Sequence, residues 1–265
     1  MELNYFDCHS HVSFKDYDLD RDAVLLRMAE QGVGTITVGV DLETSIGAVS
    51  FAEKHTDFYA TIGLHPNDTP TETFDEHLYE AIVTHPKVVG IGECGVDYYR
   101  IGGDIQTEKT RQWVEFNKQL WFAINHDKPV MIHCRPSKGS MDAYEDMLIH
   151  LERTVRQTPK ARGNIHFFVG NVDIARRFYD IGFTTSFTGV ITFAREYDEV
   201  IKFAPLDMLL TETDAPYAAP VPYRGSRNEP VYVKEVVAAI SRIRGTDEET
   251  VRTQVVANAQ RLFRF

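Results

Sequence analysis

An α/β fold, a single (β/α)8 TIM barrel, is what the sequence predicts, on three observations. Eight short apolar or β-branched runs recur along 265 residues, segments of helical periodicity separate them, and no Pro/Gly/Ser-rich linker divides the chain. One domain over residues 1–265 is therefore expected. A doubly wound sheet in two halves is the competing architecture, but the chain lacks the Gly-rich phosphate turn that fold places after its first strand.

The first run, NYFDCH near 4–9, precedes a helical-period segment at 20–31. GTITVGV (34–40) leads into 42–54, FYATIGL (58–64) into 73–84, and KVVGIGE (87–93) into 105–126. PVMIHC (129–134) precedes 141–157 and NIHFF (164–168) precedes 171–180. GFTTSF (182–187) is followed by 190–204, the least regular of the helical segments, and DMLLTE (207–212) by two, 229–243 and 247–263. Short apolar runs of this kind suit strands of a parallel sheet, which are buried on both faces.

A hydrophobic fraction of 43% and a charged fraction of 25% exclude a disordered chain. No stretch approaches the roughly eighteen apolar residues of a membrane span, and the opening MELNYFD has no basic segment leading into an apolar signal core. A soluble, cytoplasmic protein is expected, with no membrane association and no obligate protein partner. Cys8, Cys94 and Cys134 are an odd number, against a secreted disulfide framework. The net charge, 28 − 39 = −11, makes the surface as a whole repel polyanions, so any nucleic acid must be held locally.

Side chains at i and i+2 of a strand share a face, so His9 and His11 can converge at the end of the first strand. The other expected strand ends carry the same residue types: Glu93 at the fourth, His133 at the fifth, His166 at the sixth, and Glu212 with Asp214 at the eighth. A barrel gathers these ends on one face, where buried imidazoles and carboxylates need a common partner. His9, His11, His133 and His166 with the carboxylates Glu93 and Asp214 exceed the usual three ligands of one catalytic zinc and suit two divalent cations, with Glu93 as the bridge. Asp214 is expected both to bind metal and to accept a proton from the attacking water. The donors favour Zn2+, Mn2+ or iron over Mg2+, although Mg2+ stays open.

The three cysteines flank these residues, so strand alternation should turn each toward the helix layer as packing. His55, His77, His85, His126 and His150 fall in helices or at their ends and read as solvated. His65, at the end of the third strand, is expected to contact substrate or support the site.

The motifs DCHSHV, IGLHP, GIGECGVDYYR, MIHCR, IHFFVG, LLTETDAPY, PVPYRGSRNEP and NAQRLF occur in order from residue 7 to residue 263. In this combination the chain resembles the TatD family of metal-dependent deoxyribonucleases, among the amidohydrolase-like barrels. The resemblance implies that His9, His11, Glu93, His133, His166 and Asp214 are metal ligands, and that His65, Asp97, Tyr99, Arg135, Glu212 and Asn228 lie in or around the site. It also implies hydrolysis of DNA, often from the 3′ end of single strands, and sometimes of RNA. Paired cations suit that reaction, since they activate water and neutralise phosphate charge.

Arg100, Arg135, Lys138, Arg195, Arg224 and Arg227 follow expected strands and can meet phosphates, with Arg224 taken among the substrate contacts. Tyr98, Tyr99, Tyr217 and Tyr223 can stack on an unpaired base. Two departures from the family pattern stand out. Residues 136–141 lengthen the loop after His133-Cys134-Arg135, and Phe167-Phe168-Val169-Gly170 replaces the usual Cys-Phe-Ser-Gly, removing a hydroxyl. Two rival readings remain: hydrolysis of a small amide, lactone or phosphoester by the same metal pair, and a metal-binding scaffold without turnover.

Overall fold

Strands buried on both faces pair in parallel only when each is joined to the next by a covering crossover, and this chain supplies one every time. The computed structural model describes residues 3–67 and 71–265; the expected single domain also includes Met1, Glu2 and residues 68–70, which lie outside the described residues. The order is β1 (Tyr5–Ser10), α1 (Arg21–Gln31), β2 (Val33–Val38), α2 (Leu42–Ala52), β3 (Phe58–Ile62), α3 (Glu76–Val83), β4 (Val88–Asp97) and α4 (Ile105–Asn125). It continues with β5 (Val130–Arg135), α5 (Asp142–Gln157), β6 (Gly163–Ile165), α6 (Val172–Asp180), β7 (Thr184–Phe187), α7 (Asp198–Phe203), β8 (Leu209–Thr211), α8 (Val233–Arg244) and α9 (Glu248–Phe263). The strands pair in chain order, all in parallel, as the TIM barrel requires.

Helix starts follow from side chains that accept from the first free amides: Asp41 from Thr44 N, Asp104 from Thr107 N, Asn171 from Ile174 N and Asp247 from Thr250 N. Gly32 (φ 65°) and Gly245 (φ 64°) stop α1 and α8 in the left-handed conformation that glycine adopts without penalty. The segment expected as a helix at 190–204 breaks into the 3-10 turns Gly189–Thr192 and Arg195–Tyr197 before the six residues of α7. Here the chain is pressed against the loop after β8; a Cβ at Gly189 would lie 2.6 Å from the Ala218 carbonyl oxygen. Similarly α8 begins at Val233 rather than 229, because Pro230 opens a 3-10 turn.

Closure of the barrel runs through the residues just beyond β8. Asp214 N donates to His9 O (2.9 Å), His11 N donates to Ala215 O (2.7 Å), and Ser10 bridges Ala215 in parallel. Backbone hydrogen bonds therefore fix His9 and His11 relative to Asp214.

A cluster of buried residues joins Phe6 and Cys8 of β1, Ile36 and Val38 of β2, Val89 of β4, Met131 of β5 and Leu210 of β8 to the end of α9. Strands from opposite sides of a barrel meet only in its interior, so this cluster is the interior core, floored by the C-terminal helix. Cys8 thus points inward, against the expectation that it faces the helices. The cause is a register shift: β1 advances from Asp7 to Ser10 while β2 advances from Thr35 to Thr37, so one extra residue reverses the alternation. Cys94 and Cys134 do pack in the outer core with helix residues. Among the described residues no helix is long and apolar enough to cross a membrane.

Candidate metal centre

Six side chains from five strand ends converge above the interior core. The two oxygens of Glu93, the centrepiece, face different neighbours. Oε2 lies 3.3 Å from His9 Nε2 and 3.9 Å from His11 Nε2. Oε1 lies 2.8 Å from His133 Nδ1, 3.1 Å from His166 Nε2 and 3.6 Å from His65 Nε2. Asp214 Oδ1 approaches His11 Nε2 (3.6 Å) and His9 Nε2 (3.7 Å), and the His9 and His166 rings stack at 3.8 Å. Three sets of donor atoms each fall within 4.8 Å: His9, His11 and Glu93; His9, His166 and Asp214; and His65, Glu93 and His133.

The far nitrogen decides what each ring presents. His11 Nδ1 meets the Val38 carbonyl (3.2 Å), His166 Nδ1 meets Glu212 Oε1 (3.1 Å), and His133 Nε2 meets Asp97 Oδ2 (3.1 Å). Each of these partners only accepts, so that side of the ring carries a proton, and the opposite nitrogen, turned toward Glu93, is the one that would hold a cation. His65 is wired the other way. The Asn67 amide donates to its Nδ1 (3.2 Å), leaving Nε2–H as a donor aimed at the site. Anchored imidazoles around carboxylates are the donor chemistry of a divalent cation, and these residues fit it.

Electrostatics agree. Burial alone would raise the Glu93 carboxyl, but His166, His9, His65 and the hydrogen bond with His133 hold it well below the usual range. Asp214 is likewise held low, with burial opposed by His11, His166 and His9. Burial also works against protonation of the imidazoles, yet Glu212 and Glu93 push His166 well above its ordinary value. His11 and His133 rise for similar reasons, while burial and His166 lower His9. Such a cluster takes up protons at low pH, which compete with a cation for the same lone pairs.

His11, Glu93, His133, His166 and Asp214 line a cavity of about 510 Å³ whose wall also carries Arg100, Arg135 and Tyr217. The Arg135 guanidinium sits 4.2 Å above the Tyr99 ring, which is 52% exposed. Three residues expected near substrate are instead buried beneath the site. Glu212 is fully buried and accepts from His166, Phe167 N (2.6 Å) and Ser186 Oγ (2.6 Å). Asp97 accepts from the Tyr99 and Arg100 amides (2.9 Å each) and so fixes the loop that carries Arg100. Asn228 donates to Thr213 O (2.9 Å) and Tyr217 O (2.6 Å), clasping the loop that presents Asp214. Asn228→Ala is expected to lose about 1–3 kcal/mol of stability, because it strands the buried Thr213 carbonyl and releases the Tyr217 carbonyl, and to lower activity with it. Urea unfolding curves check this, and an unchanged midpoint would refute the clasp.

Several expected phosphate and base contacts are engaged elsewhere. Arg224 stacks on Phe193 (3.8 Å), away from the cavity wall, and Arg227 makes two hydrogen bonds to Asp20 (2.8 and 2.7 Å). Lys138 and Arg195 are exposed and outside that wall. Tyr98 bonds Asp146 and Trp113, and Tyr223 stacks on Tyr232 at 3.8 Å. His85 and His126 meet Glu53 and Glu80 toward the surface, and His77 is exposed. His55 lies against Phe51 and Phe58, and His150 tucks against Trp113 and Phe116, so neither reads as a solvated ring.

Sequence reasoning passed over Asp7. Fully buried, it accepts from His9 N (3.2 Å), Thr213 N (2.9 Å) and Thr213 Oγ1 (2.6 Å), and burial pushes its carboxyl well above the usual range. It ties β1 to the segment carrying Asp214. A carboxylate two residues before His9 in a buried run was the available signal.

A family model described as TatD related DNase matches residues 6–264. The chain is 36% identical over 265 residues to an uncharacterized metal-dependent hydrolase, YabD, of Bacillus subtilis (strain 168), covering 98% of each. It is 32% identical over 267 residues to the 3′-5′ ssDNA/RNA exonuclease TatD of Salmonella typhimurium, covering 97% of this chain and 98% of that one. The crystal structure of YJJV, a TatD homologue from Escherichia coli K12, matches with a TM-score of 0.89 at 28% identity, covering 100% of both chains. With these matches spanning nearly all of its length, the chain belongs to the TatD related DNase family of metal-dependent hydrolases.

Proposed function

We propose that the chain hydrolyses phosphodiester bonds at the ends of nucleic-acid strands, above all single-stranded DNA in the 3′-5′ direction, as one domain over residues 1–265 working with two divalent cations. The observation that carries this reading is the pair of Glu93 oxygens turned to separate donor groups, in a cavity whose wall bears Arg100 and Arg135. His9, His11 and Asp214 serve one position, His133 and His166 the other, and Glu93 both. When bound, the cations, Zn2+, Mn2+ or Mg2+, supply charge neutralisation at phosphate and a more acidic water.

The remaining work belongs to the chain itself. Asp214, held ionised by its histidine neighbours, accepts the proton of the attacking water. Arg135, braced on Tyr99, grips phosphate oxygens, and His65 donates its Nε2–H beside it. Glu212 and Asp97 keep His166 and His133 in their orientations. Against a net charge of −11, these local cations are what retain a polyanion. Three buried free thiols support a cytoplasmic location.

Incubation of the metal-loaded protein with a 5′-labelled single-stranded oligonucleotide tests the reading. Stepwise shortening from the 3′ end is expected with at least one of Mg2+, Mn2+ or Zn2+. An intact oligonucleotide, alongside turnover of a small ester or amide, would reject it.

A further inference from the structure

The mouth of the barrel is chemically divided. Because strands neighbour one another in chain order, the residues following each strand end map directly onto sectors around the rim. Arg100, after β4, and Arg135, at the end of the neighbouring β5, give the cavity wall a cationic sector. Past β6 the wall turns apolar and aromatic: Phe167 and Val169 after β6, Tyr197 after β7, Tyr217 after β8 and Phe14 after β1 all line the same cavity.

Within that aromatic sector Phe167 is set apart by its backbone. At φ 47° it holds the left-handed conformation, which is unfavourable for a bulky side chain and persists only where the surroundings impose it. The imposing group is Glu212, whose Oε1 accepts from Phe167 N (2.6 Å) and also meets His166 Nδ1 (3.1 Å). One carboxylate oxygen therefore fixes the Phe167 backbone relative to His166, a proposed metal ligand. The two rings stand edge to face at 5.9 Å and 81°. Phe167 is only part-buried, whereas the next residue, Phe168, is packed away with Tyr144 and Phe178. A strained backbone that holds an apolar ring open beside the reactive centre, rather than folding it into the core, points to a ligand with an aromatic face.

We infer that Phe167 is the platform on which the base of the nucleotide at the attacked phosphate stacks, with the adjoining phosphate directed to the Arg100 and Arg135 sector. The inference rests on the phosphodiester reading and deepens it, since it makes the mouth select esters that carry a base beside the scissile bond. A duplex end keeps its terminal base stacked and paired, so the same platform favours an unpaired end, whose base offers a free face. The cavity, about 510 Å³, is of the size that encloses a small organic group.

The test compares two 5′-labelled single-stranded oligonucleotides that differ only at the 3′ terminus, one ending in an ordinary nucleotide and the other in an abasic residue. For the unaltered protein, kcat/KM is expected to be about tenfold higher on the base-bearing end, the scale of one stacking contact. Phe167→Ala should bring that ratio close to one, and Phe167→Tyr, which keeps the ring, should retain it. Metal content and the unfolding midpoint of both variants confirm that they fold. An unaltered protein indifferent to the terminal base would overturn the proposal, as would Phe167→Ala slowing both substrates alike with the ratio intact. If the unaltered protein shortens neither oligonucleotide, the nuclease reading itself falls and this inference falls with it.

Discussion

Glu93→Ala is expected to abolish hydrolysis, by at least about 10³-fold, and to strip most of the bound metal while the barrel stays folded. The carboxylate is the negative charge common to the cluster: its oxygens lie within 3.9 Å of nitrogens from His9, His11, His65, His133 and His166. Without it Asp214, grouped with His9, His11 and His166, is the one carboxylate left among the proposed ligands, and the His133 side keeps no carboxylate of its own to offset a divalent charge. Folding should survive, because the apolar interior from Phe6 to Leu210 and the β4–β5 pairing do not involve the carboxylate. Elemental analysis of the purified variant, with circular dichroism as the control for folding, gives the answer. A metal stoichiometry equal to that of the unaltered protein would remove Glu93 from the bridging position, whatever the activity.

How far the sequence carried the reading depends on which physical rule each residue obeys. His9, His11, Glu93, His133, His166 and Asp214 were legible because a strand end has one direction, and a barrel brings eight such ends together. What eluded the sequence was local. The extra residue in β1 that turns Cys8 inward changes the alternation without changing the hydrophobic pattern, since Cys8 is apolar enough for either face. For Glu212, Asp97 and Asn228 the sequence implied a place in or around the site and no more, because polar residues near a site look alike in a string, whether they face the cavity or are buried behind it. Only their hydrogen bonds tell the difference. Arg224 and Arg227 show the same ambiguity for charge. Their positions after β8 suggested phosphate, but Phe193 and Asp20 occupy them, and the distance in sequence from Asp20 to Arg227 hides that pairing. The segment 190–204 loses its helix to a neighbour, the loop at Ala218, that no local pattern contains.

Asp214→Asn is expected to lower kcat by about 10²–10⁴-fold, the range of a lost general base, with a smaller loss of metal than Glu93→Ala. The substitution is close to isosteric, so it isolates charge from shape. Asp214 stands at φ 55°, a conformation that asparagine tolerates nearly as well as aspartate, and its amide still closes the barrel onto His9 O. What the amide group cannot do is take a proton, and it presents an N–H edge to His9 and His11 in place of a full negative charge. Asp214→Glu is the complementary variant: it restores the charge but extends it past the point set by Thr213, Asp7 and Asn228, so little activity should return. Steady-state rates on the oligonucleotide, paired with metal analysis of each variant, separate the two roles. Loss of kcat at retained metal content identifies the proton acceptor, and loss of both in step identifies a ligand alone. An asparagine variant that keeps more than about a tenth of the original kcat would exclude Asp214 as the base, because a missing proton acceptor costs more than that in a reaction whose attacking water must be deprotonated.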